Sequence, residues 1–417
     1  MGRPDREVIR GQPGIHAGPG GRAGPGWKGA GANRRVRFED GRQAHPPTAG
    51  RLACGRGNRA ALRGEGAGIA RQSTGKTTVE YQKQGGRPGA AGTATGPEDV
   101  DQIAQNQPKV VIIGTGLVGS TFAYALMISG LAGEIVLIDA NRRRAEGEAM
   151  DLNHGISFVR PVRIYAGDYP DCAGADVVVI TAGAAQKPGE TRLELVHRNV
   201  AIFKQIIPQV VRYAQQPILL IVTNPVDIMS YVAYRLSGYP SGRVIGSGTV
   251  LDTSRLRYLL SAHCGVDPKN VHAYIIGEHG DSEVPLWSLA NIAGMRLDEY
   301  CPSCERGCQP SVREEIFRQA RDAAYAIIDR KGATYYGIGL SLLEIVESIL
   351  RAERSIATVS TYLENYLGES DIYISVPAIL HRGGVERLVP LRITGQEAEA
   401  FHRSVAVLRQ VLGQIQW

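Results

Sequence analysis

The amino-acid sequence predicts an α/β protein whose centre is a Rossmann-type, doubly wound parallel sheet, joined to a second α/β domain and preceded by a disordered extension. From Lys109 onward, short apolar runs alternate with stretches of helical period, which is typical of a parallel sheet covered on both faces. After Val250 the pattern becomes mixed, and the first hundred residues show neither period and hold 23 of the 51 glycines. We therefore predict three parts, over residues 1–107, 108–250 and 251–417.

Residues 1–107 are predicted to be disordered, because a glycine-rich segment with few apolar side chains cannot offset its ordering entropy. The first hundred residues carry 17 basic and 8 acidic side chains, a net charge of +9. Three interpretations stay open: an organelle-targeting leader, a basic arm that touches nucleic acid, or an over-extended reading frame. We favour the third interpretation. Met1 is the only methionine before Met127, and Met127 lies inside the first predicted helix, so a true start would use a non-methionine codon, near Val100. The intact mass of the protein from its native cell tests this hypothesis.

Composition excludes several classes for the body of the chain. No run approaches 18 apolar residues and the N-terminus has no apolar signal core, so we expect neither a membrane partner nor secretion. The residues after the first hundred have a net charge of −3, which gives no overall attraction to nucleic acid. The six cysteines do not form a disulfide framework, and the cytoplasm is the expected compartment.

The elements of the parallel sheet are predicted in order. Apolar runs bounded by turn residues are predicted as strands, and stretches of helical period as helices. The predicted strands are "KVVIIG", "EIVLID", "ADVVVITAG" and "PILLIVTNP", and the predicted helices are "LVGSTFAYALMISG", "RRRAEGEAMDLNHG", "TRLELVHRNVAIFKQIIPQVVRYA" and "VDIMSYVAYRLSG".

The second domain is predicted as a mixture of helices and strands, with boundaries good to a few residues. Predicted helices cover Asp252–Cys264, Pro285–Ile292, Val312–Asp329 and Gln396–Leu412, and predicted strands cover Val271–Ile276, Asp371–Val376 and Gly384–Val389.

A glycine motif indicates a dinucleotide site. "GTGLVG" at Gly114–Gly119 follows a predicted strand and opens a predicted helix, so that its backbone can approach a pyrophosphate at the helix N-terminus. Asp139 ends the next strand 20 residues after Gly119, where a carboxylate can bind a ribose 2′-hydroxyl. Asp139 would repel a 2′-phosphate and favours NAD over NADP, although Arg142–Arg144 argue mildly the other way.

A second group of residues indicates acid–base chemistry on a small anion. His279, in "GEHGDS", titrates near neutral pH and can exchange the proton of a substrate hydroxyl during hydride transfer. Asp252 and Arg255, in "LDTSRLR", provide a carboxylate to orient the imidazole and a guanidinium to bind a carboxylate. A lone histidine is usually structural, so the three residue types together carry this hypothesis.

These motifs resemble those of L-lactate dehydrogenases of the bacterial type, within the lactate/malate dehydrogenase superfamily. The resemblance covers roughly three-quarters of the chain, from Lys109 to the C-terminus, with its motifs in the same order. It rests on Gly114–Gly119, "ITAGAAQKPGETR", "VTNPVD", "LDTSRLR", "IIGEHGDSEVP" and "KGATYYGIG". The resemblance implies reversible hydride transfer between NADH and pyruvate to give (S)-lactate, the last step of lactate fermentation.

The resemblance also implies site roles. His279 is the proton donor with Asp252 as its partner, Arg255 binds the substrate carboxylate, and Arg192 polarises the carbonyl from a mobile loop. Asn224 contacts the substrate oxygen beside the nicotinamide, and Thr334 borders the substrate pocket. The cofactor cleft is implied to contain Gly114, Gly116, Val118, Gly119, Asp139, Arg144, Tyr169, Gly183, Ala184, Val222, Asn224 and Ser247.

The loop that carries Gln186 is expected to select the substrate. In the related malate dehydrogenases an arginine at this position pairs with a second carboxylate. Here an uncharged amide faces the methyl end of the substrate, so closure over oxaloacetate would bury an unpaired carboxylate. The alternative enzyme is a malate or other 2-hydroxy-acid dehydrogenase, from which the residue at position 186 separates this chain. The alternative from another class is a nucleotide-sensing module that has lost its chemistry.

Regulation and assembly are implied by the resemblance as well. Arg257 and His272 match positions that bind fructose 1,6-bisphosphate between subunits of a homotetramer.

The stretch "CPSCERGC" places Cys301, Cys304 and Cys308 with metal-like spacing, but three thiols are one short of a structural zinc site. We therefore expect no metal.

Overall fold

The computed structural model describes residues 107–184, 191–301 and 309–415. The predicted extension lies almost wholly outside these ranges. Within them the helices are α1 (Leu117–Ser129), α2 (Arg142–His154), α3 (Arg192–Tyr213), α4 (Val226–Ser237), α5 (Val250–Cys264), α6 (Leu297–Tyr300), α7 (Pro310–Lys331), α8 (Tyr336–Leu350) and α9 (Gly395–Leu412).

The described strands form one large sheet and two small ones. The strands are β1 (Lys109–Ile113), β2 (Glu134–Ile138), β3 (Arg163–Ala166), β4 (Val177–Ile180), β5 (Ile218–Ile221), β6 (Val244–Gly246), β7 (Val271–His272), β8 (Ile275–Ile276), β9 (Val284–Pro285), β10 (Asn291–Ile292), β11 (Met295–Arg296), β12 (Ile356–Leu363), β13 (Ile372–His381) and β14 (Gly384–Leu388).

The large sheet has nine strands in the order β14-β13-β12-β6-β5-β4-β1-β2-β3. Its six strands from β6 to β3 are parallel, and β1 pairs with both β2 and β4. This is the strand order of a doubly wound nucleotide-binding sheet, which confirms the predicted fold class. The antiparallel strands β12, β13 and β14 extend the same sheet beyond the predicted boundary at Val250.

Alternating residues of the central strands fill two cores on opposite faces of the sheet. Val111 and Ile113 of β1 pack with side chains from α3, α4 and α9, whereas Val110 and Ile112 pack with side chains from α1, α2 and α8. All four are buried. Strands with apolar residues on both faces must be covered on both sides, which explains why these runs are continuous rather than alternating.

A third core lies beneath α5 and α7. Leu256 and Leu260 of α5 pack against Phe317 and Ala320 of α7 and against Ile275 of β8. This core fixes α5, which carries Asp252 and Arg255, against the strand that leads to His279. No helix within the described ranges is both long and apolar enough to cross a membrane.

The predicted helix over Pro285–Ile292 is wrong. In its place, β9 pairs with β8, a short 3-10 turn covers Trp287–Leu289, and β10 pairs with β7. The backbone N–H and the hydroxyl of Ser288 both donate to the carboxylate of Glu397 in α9, at 2.9 and 2.6 Å. Tertiary hydrogen bonds thus replace the helical ones that this stretch would have made. The predicted strand Val271–Ile276 is also divided, because β7 and β8 pair with different partners.

Candidate active site

Five loops that follow parallel strands meet at one edge of the large sheet. Gly114 follows β1, Asp139 follows β2, Gly183 lies beyond β4, Asn224 beyond β5 and Ser247 directly after β6. The strand order reverses between β1 and β4. In doubly wound sheets, ligands bind outside the carboxyl ends of the strands at such a reversal. The predicted cofactor residues therefore converge where this fold binds nucleotides.

The glycine motif makes this edge compatible with a dinucleotide. Gly114 has φ +101°, and a Cβ there would lie 2.5 Å from the Ala182 backbone nitrogen. A Cβ on Gly119 would lie 2.0 Å from the carbonyl oxygen of Gly114, so glycine is required for the close approach of α1. Apart from its own chain neighbours, no atom of the described residues lies within 4 Å of a Cβ built on Gly116. The space outside the N-terminus of α1 thus has room for a pyrophosphate, which its N–H groups would bind.

Asp139 is fixed beside the glycine motif. One of its oxygens accepts hydrogen bonds from the Thr115 backbone N–H at 2.7 Å and hydroxyl at 3.0 Å. The other oxygen accepts from the Asn141 N–H at 2.8 Å. A carboxylate held at the end of β2 suits a ribose hydroxyl better than a 2′-phosphate. Arg144 lies exposed in the first turn of α2, the helix that follows Asp139.

Asn199 links two loops of the cofactor edge and was not predicted from the sequence. It is buried in α3, where its side-chain oxygen accepts from the Ala184 N–H and its side-chain nitrogen donates to the Asn224 carbonyl, both at 2.8 Å. The sequence feature that could have identified Asn199 is an amide side chain on the buried face of an amphipathic helix. The other predicted cofactor residues are half-buried Val118, Tyr169 and Val222, and buried Ser247.

His279 and Asp252 form a hydrogen-bonded pair. The Nδ1–H of His279 donates to one Asp252 oxygen at 2.6 Å. Burial lowers the pKa of His279, but the attraction and hydrogen bond of Asp252 outweigh it and raise this pKa to about 9. Burial acts to raise the pKa of Asp252, and the charges of His279 and Arg255 outweigh it and lower this pKa. The pair therefore holds a protonated imidazole at neutral pH, with Nε2 left to deliver the proton.

Arg255 completes the group on the same helix. Its guanidinium donates to the second oxygen of Asp252 at 2.8 Å, and its side chain is 13% exposed. One carboxylate thus positions both the acid and the cation. Arg255 and His279 line one cavity of about 380 Å³ together with Asn224, Asp252 and Glu283. A small carboxylate with a neighbouring carbonyl matches this arrangement of one fork-shaped cation and one acid.

Asp227 was also missed, although it stands in the quoted motif "VTNPVD". This carboxylate is buried at the start of α4 and accepts from the backbone N–H of His279 at 2.8 Å. Gly277 exchanges two backbone hydrogen bonds with Ser375 of β13, at 2.9 and 3.1 Å. The histidine loop is therefore held from two sides. An acidic residue inside an otherwise apolar helix was the signal.

Three predicted substrate residues are not placed in this cavity. Gln186 lies outside the described residues. Arg192 is the first residue of α3, but its side chain is outside the description. Thr191 caps that helix, with its hydroxyl accepting from the Glu194 N–H at 3.2 Å. Thr334 lies half-buried between α7 and α8, and the described lining of the cavity does not include it.

The two predicted effector residues lie on adjacent elements, Arg257 in α5 and His272 in β7. The Nε–H of Arg257 donates to the carbonyl of Ala273 at 3.0 Å, directly after His272, and its guanidinium stacks on Tyr274 at 5.1 Å. His272 is exposed. Arg257 and Lys269 line a surface cavity of about 480 Å³ together with the acidic Glu344, and the described lining does not include His272.

The cysteine cluster is only partly described. Cys301 is buried, whereas Cys304 and Cys308 lie outside the described residues. Within the part of the chain that the structure describes, no three His, Cys, Asp or Glu side chains are grouped to hold a metal ion.

Comparison with known proteins agrees with this geometry. Residues 108–246 match the family model for the lactate/malate dehydrogenase NAD binding domain, and residues 249–416 match the model for its alpha/beta C-terminal domain. The chain is 56% identical to an L-lactate dehydrogenase of Acetivibrio thermocellus over 304 residues, which are 73% of this chain and 96% of that one. It is 52% identical to one of Thermoanaerobacter sp. over 307 residues, 74% of this chain and 99% of that one.

A solved structure is similar as well. The minor L-lactate dehydrogenase of Enterococcus mundtii, in a ligand-bound form, superposes with a TM-score of 0.72 at 44% identity. The match covers 74% of this chain and 99% of that one.

Proposed function

The chain belongs to the lactate/malate dehydrogenase family, and we propose that it is an L-lactate dehydrogenase that catalyses reversible hydride transfer between NADH and pyruvate. The observation that carries the proposal is the pairing of His279 and Arg255 on one carboxylate, Asp252, inside the cavity beside the nucleotide edge. We propose that residues 108–250 bind the nucleotide and residues 251–417 bind the substrate. NADH supplies the hydride when bound.

In this proposal the residues of the chain bind one small anion and move one proton. Arg255 binds the substrate carboxylate through a bidentate guanidinium contact. Protonated His279 donates from Nε2 to the carbonyl oxygen of pyruvate as that oxygen gains charge. Asp252 stabilises the imidazolium and orients it, and Asn224 contacts the substrate oxygen. In lactate oxidation, neutral His279 accepts the hydroxyl proton.

We propose that the loop containing Gln186 and Arg192 closes over the bound substrate. Arg192 then polarises the carbonyl, and closure excludes water from the transfer. Closure of the uncharged Gln186 over the methyl group of pyruvate has no electrostatic cost, whereas closure over oxaloacetate would leave its second carboxylate buried and unpaired. Pyruvate is therefore preferred to oxaloacetate.

NADH oxidation with pyruvate and with oxaloacetate tests the proposed function directly. We expect turnover with pyruvate and little with oxaloacetate. Gln186→Arg should raise activity on oxaloacetate and lower it on pyruvate, because it adds the cation that a second carboxylate needs. Gln410→Arg, an exposed change in α9, is the control for the added charge. Unchanged substrate preference in Gln186→Arg would refute this account of selection.

We propose that fructose 1,6-bisphosphate activates the enzyme through Arg257 and His272. The proposal is supported by the two cations, Arg257 and Lys269, that line one surface cavity with a single carboxylate, Glu344. Two such surfaces facing one another in a symmetric pair would supply several cations for two phosphates. We expect the sugar bisphosphate to lower the KM for pyruvate and Arg257→Gln to remove this effect. A pyruvate saturation curve that the bisphosphate does not shift would end this proposal.

We propose a homotetramer as the assembly that provides these paired surfaces. It is supported by an apolar groove of about 630 Å³ between α1 and α8, where Tyr124, Ile128, Tyr336 and Leu340 are between 55% and 65% exposed. Exposed apolar patches of this kind mark interaction sites. Sedimentation velocity measures the mass of the assembly.

We further propose that the enzyme acts in the cytoplasm, in the last step of lactate fermentation.

A further inference from the structure

Glu283 is a buried acid at the substrate cavity to which neither the motif nor the resemblance gives a role. It lies four residues after His279 and is 7% exposed. Glu283 lines both the cavity of about 380 Å³ and a second cavity of about 610 Å³. One of its oxygens, Oε1, is buried without a hydrogen-bond partner among the described residues. A buried carboxylate without hydrogen bonds is costly, so the neutral acid is the favoured form.

Charged side chains from several elements line the two cavities beside Glu283. In the first cavity, helix α5 contributes Asp252 and Arg255, the histidine loop contributes His279 and Asp281, and α7 contributes Arg321. Tyr325 of α7 donates a hydrogen bond to Asp281 at 3.2 Å. The charged side chains of the second cavity are Arg296, Asp298, Arg313, Glu314, Glu397 and Arg403. Burial first, and then repulsion from Asp252, raise the pKa of Glu283 to about 9, against the attraction of His279, Arg255 and Arg321.

The protonation of Glu283 decides the net charge that a substrate meets. Among the described lining residues, the cations are Arg255, Arg321 and protonated His279, and the other carboxylates are Asp252 and Asp281. With His279 protonated, three cations face two other carboxylates, and with His279 neutral, two cations face two; in either state a neutral Glu283 adds no negative charge. With Glu283 ionised, a third carboxylate lines the cavity and repels a monoanionic substrate in either state of His279. Like charges in a partly buried site are strongly unfavourable.

We propose that Glu283 is a specificity-determining residue that must be protonated for the cavity to accept a small monocarboxylate. The inference rests on the proposed function. In lactate oxidation His279 acts in its neutral form, so alkaline pH favours the histidine while ionisation of Glu283 opposes binding of the lactate carboxylate. The two groups therefore affect the same reaction in opposite directions and can be separated.

The experiment is the pH dependence of the KM for lactate at saturating NAD, between about pH 7 and about pH 10. The wild type should show a minimum and then a rise that approaches about tenfold per pH unit, because only the neutral fraction binds. Glu283→Gln keeps the shape of the side chain without a titrating proton, so its KM should fall to a plateau and stay within about twofold of it. Asp329→Asn removes an exposed carboxylate of α7 that does not line this cavity and should keep the wild-type rise.

Two outcomes of this measurement overturn the inference: a wild-type KM that stays flat at alkaline pH, or a rise in Glu283→Gln that parallels the wild type. Either result with normal lactate turnover near neutral pH leaves the proposed function intact. Absence of lactate turnover near neutral pH rejects the proposed function itself.

Infrared spectroscopy tests the protonation state without turnover. The wild-type protein at neutral pH should show the C=O stretch of a protonated carboxyl that Glu283→Gln lacks. In the wild type this band should disappear as the pH passes about 9. The titration of the wild type stands alone if Glu283→Gln does not fold. A wild type without the band at neutral pH rejects the inference.

Discussion

The nucleotide edge and the substrate cavity depend on different properties of their residues. At the nucleotide edge, Gly114 and Gly119 matter because their missing side chains let backbone approach backbone. In the cavity, Asp252, Arg255 and His279 matter because their charges hold one another in place. The first region should therefore be sensitive to volume and the second to charge. Substitutions that separate these two sensitivities are the sharpest tests of the comparison.

The largest expected effect is the loss of the acid in the cavity. His279→Gln should lower kcat for pyruvate reduction by about 10²- to 10⁴-fold, because the proton donor is removed while the side chain remains polar. NADH affinity should stay unchanged, since the nucleotide edge is untouched. Stopped-flow turnover and fluorescence titration of NADH measure the two quantities. His402→Gln is the matched control, because His402 also donates from Nδ1 to a carboxylate, Glu369, at 2.7 Å but lies exposed on α9. A similar loss in both variants would contradict the assignment.

The next effect concerns the pH profile. Asp252 raises the pKa of His279 to about 9, so pyruvate reduction, which uses the protonated ring, should be level near neutral pH and fall as the pH rises through about 9. Asp252→Asn removes the largest raising contributions and leaves burial, which lowers the pKa of His279, opposed only by the smaller effects of Asp227 and Glu283. The alkaline limb of kcat/KM for pyruvate should therefore move to lower pH.

At neutral pH, Asp252→Asn should also lower kcat/KM for pyruvate by about 10- to 100-fold, the loss expected for a hydrogen bond to a charged group. Asp281→Asn, with the same change of charge at the exposed end of the cavity, should leave the limb in place. An unmoved limb in Asp252→Asn would show that another group sets the proton affinity of His279.

At the nucleotide edge, the expected effect is one of volume. Gly119→Ala should lower the free energy of unfolding by about 1–3 kcal/mol, because the added methyl meets the Gly114 carbonyl and backbone must move. NADH binding should weaken as well. Gly147→Ala is the control: this exposed glycine of α2 has no atom within 4 Å of the new Cβ, so stability should rise by about 0.5–1 kcal/mol. Urea unfolding measures both values, and equal effects of the two changes would contradict the comparison.

Sequence patterns predicted the two regions with unequal success. The nucleotide edge follows from one contiguous motif, in which each glycine position has a local steric reason. The buried hydrogen bonds behind both regions join residues far apart in the chain: Asp227 accepts from the backbone of His279, 52 positions away, and at the nucleotide edge Asn199 connects Ala184 with Asn224. Nothing local in the sequence specifies such pairs. Glu283 was missed for the same reason, since its role depends on which charges fold around it.

Element prediction failed where tertiary contacts outweigh local preference. Pro285–Ile292 has helical character, but Ser288 is bound by Glu397 of α9 and the stretch divides between two small sheets. Helix α8 and strand β12 were not predicted, although α8 contributes to one of the two main cores and β12 joins β6 to the antiparallel strands. Four parallel strands, β1, β2, β4 and β5, were predicted correctly because burial on both faces leaves a continuous apolar run, whereas the short parallel strands β3 and β6 were not predicted.

The smallest expected effect tests whether charge also matters at the nucleotide edge. Asp139 is half-exposed and accepts three hydrogen bonds from Thr115 and Asn141, so Asp139→Asn removes its charge while keeping a side chain of nearly the same size. The preference for NADH over NADPH should narrow by about fivefold, because a partly exposed charge contributes on the order of 1 kcal/mol. Asp329→Asn, an exposed change on α7, controls for net charge. The ratio of kcat/KM for the two cofactors measures the effect. If Asp139→Asn leaves that ratio unchanged, discrimination at this edge rests on the shape of the backbone alone, and the contrast with the charged cavity becomes stronger.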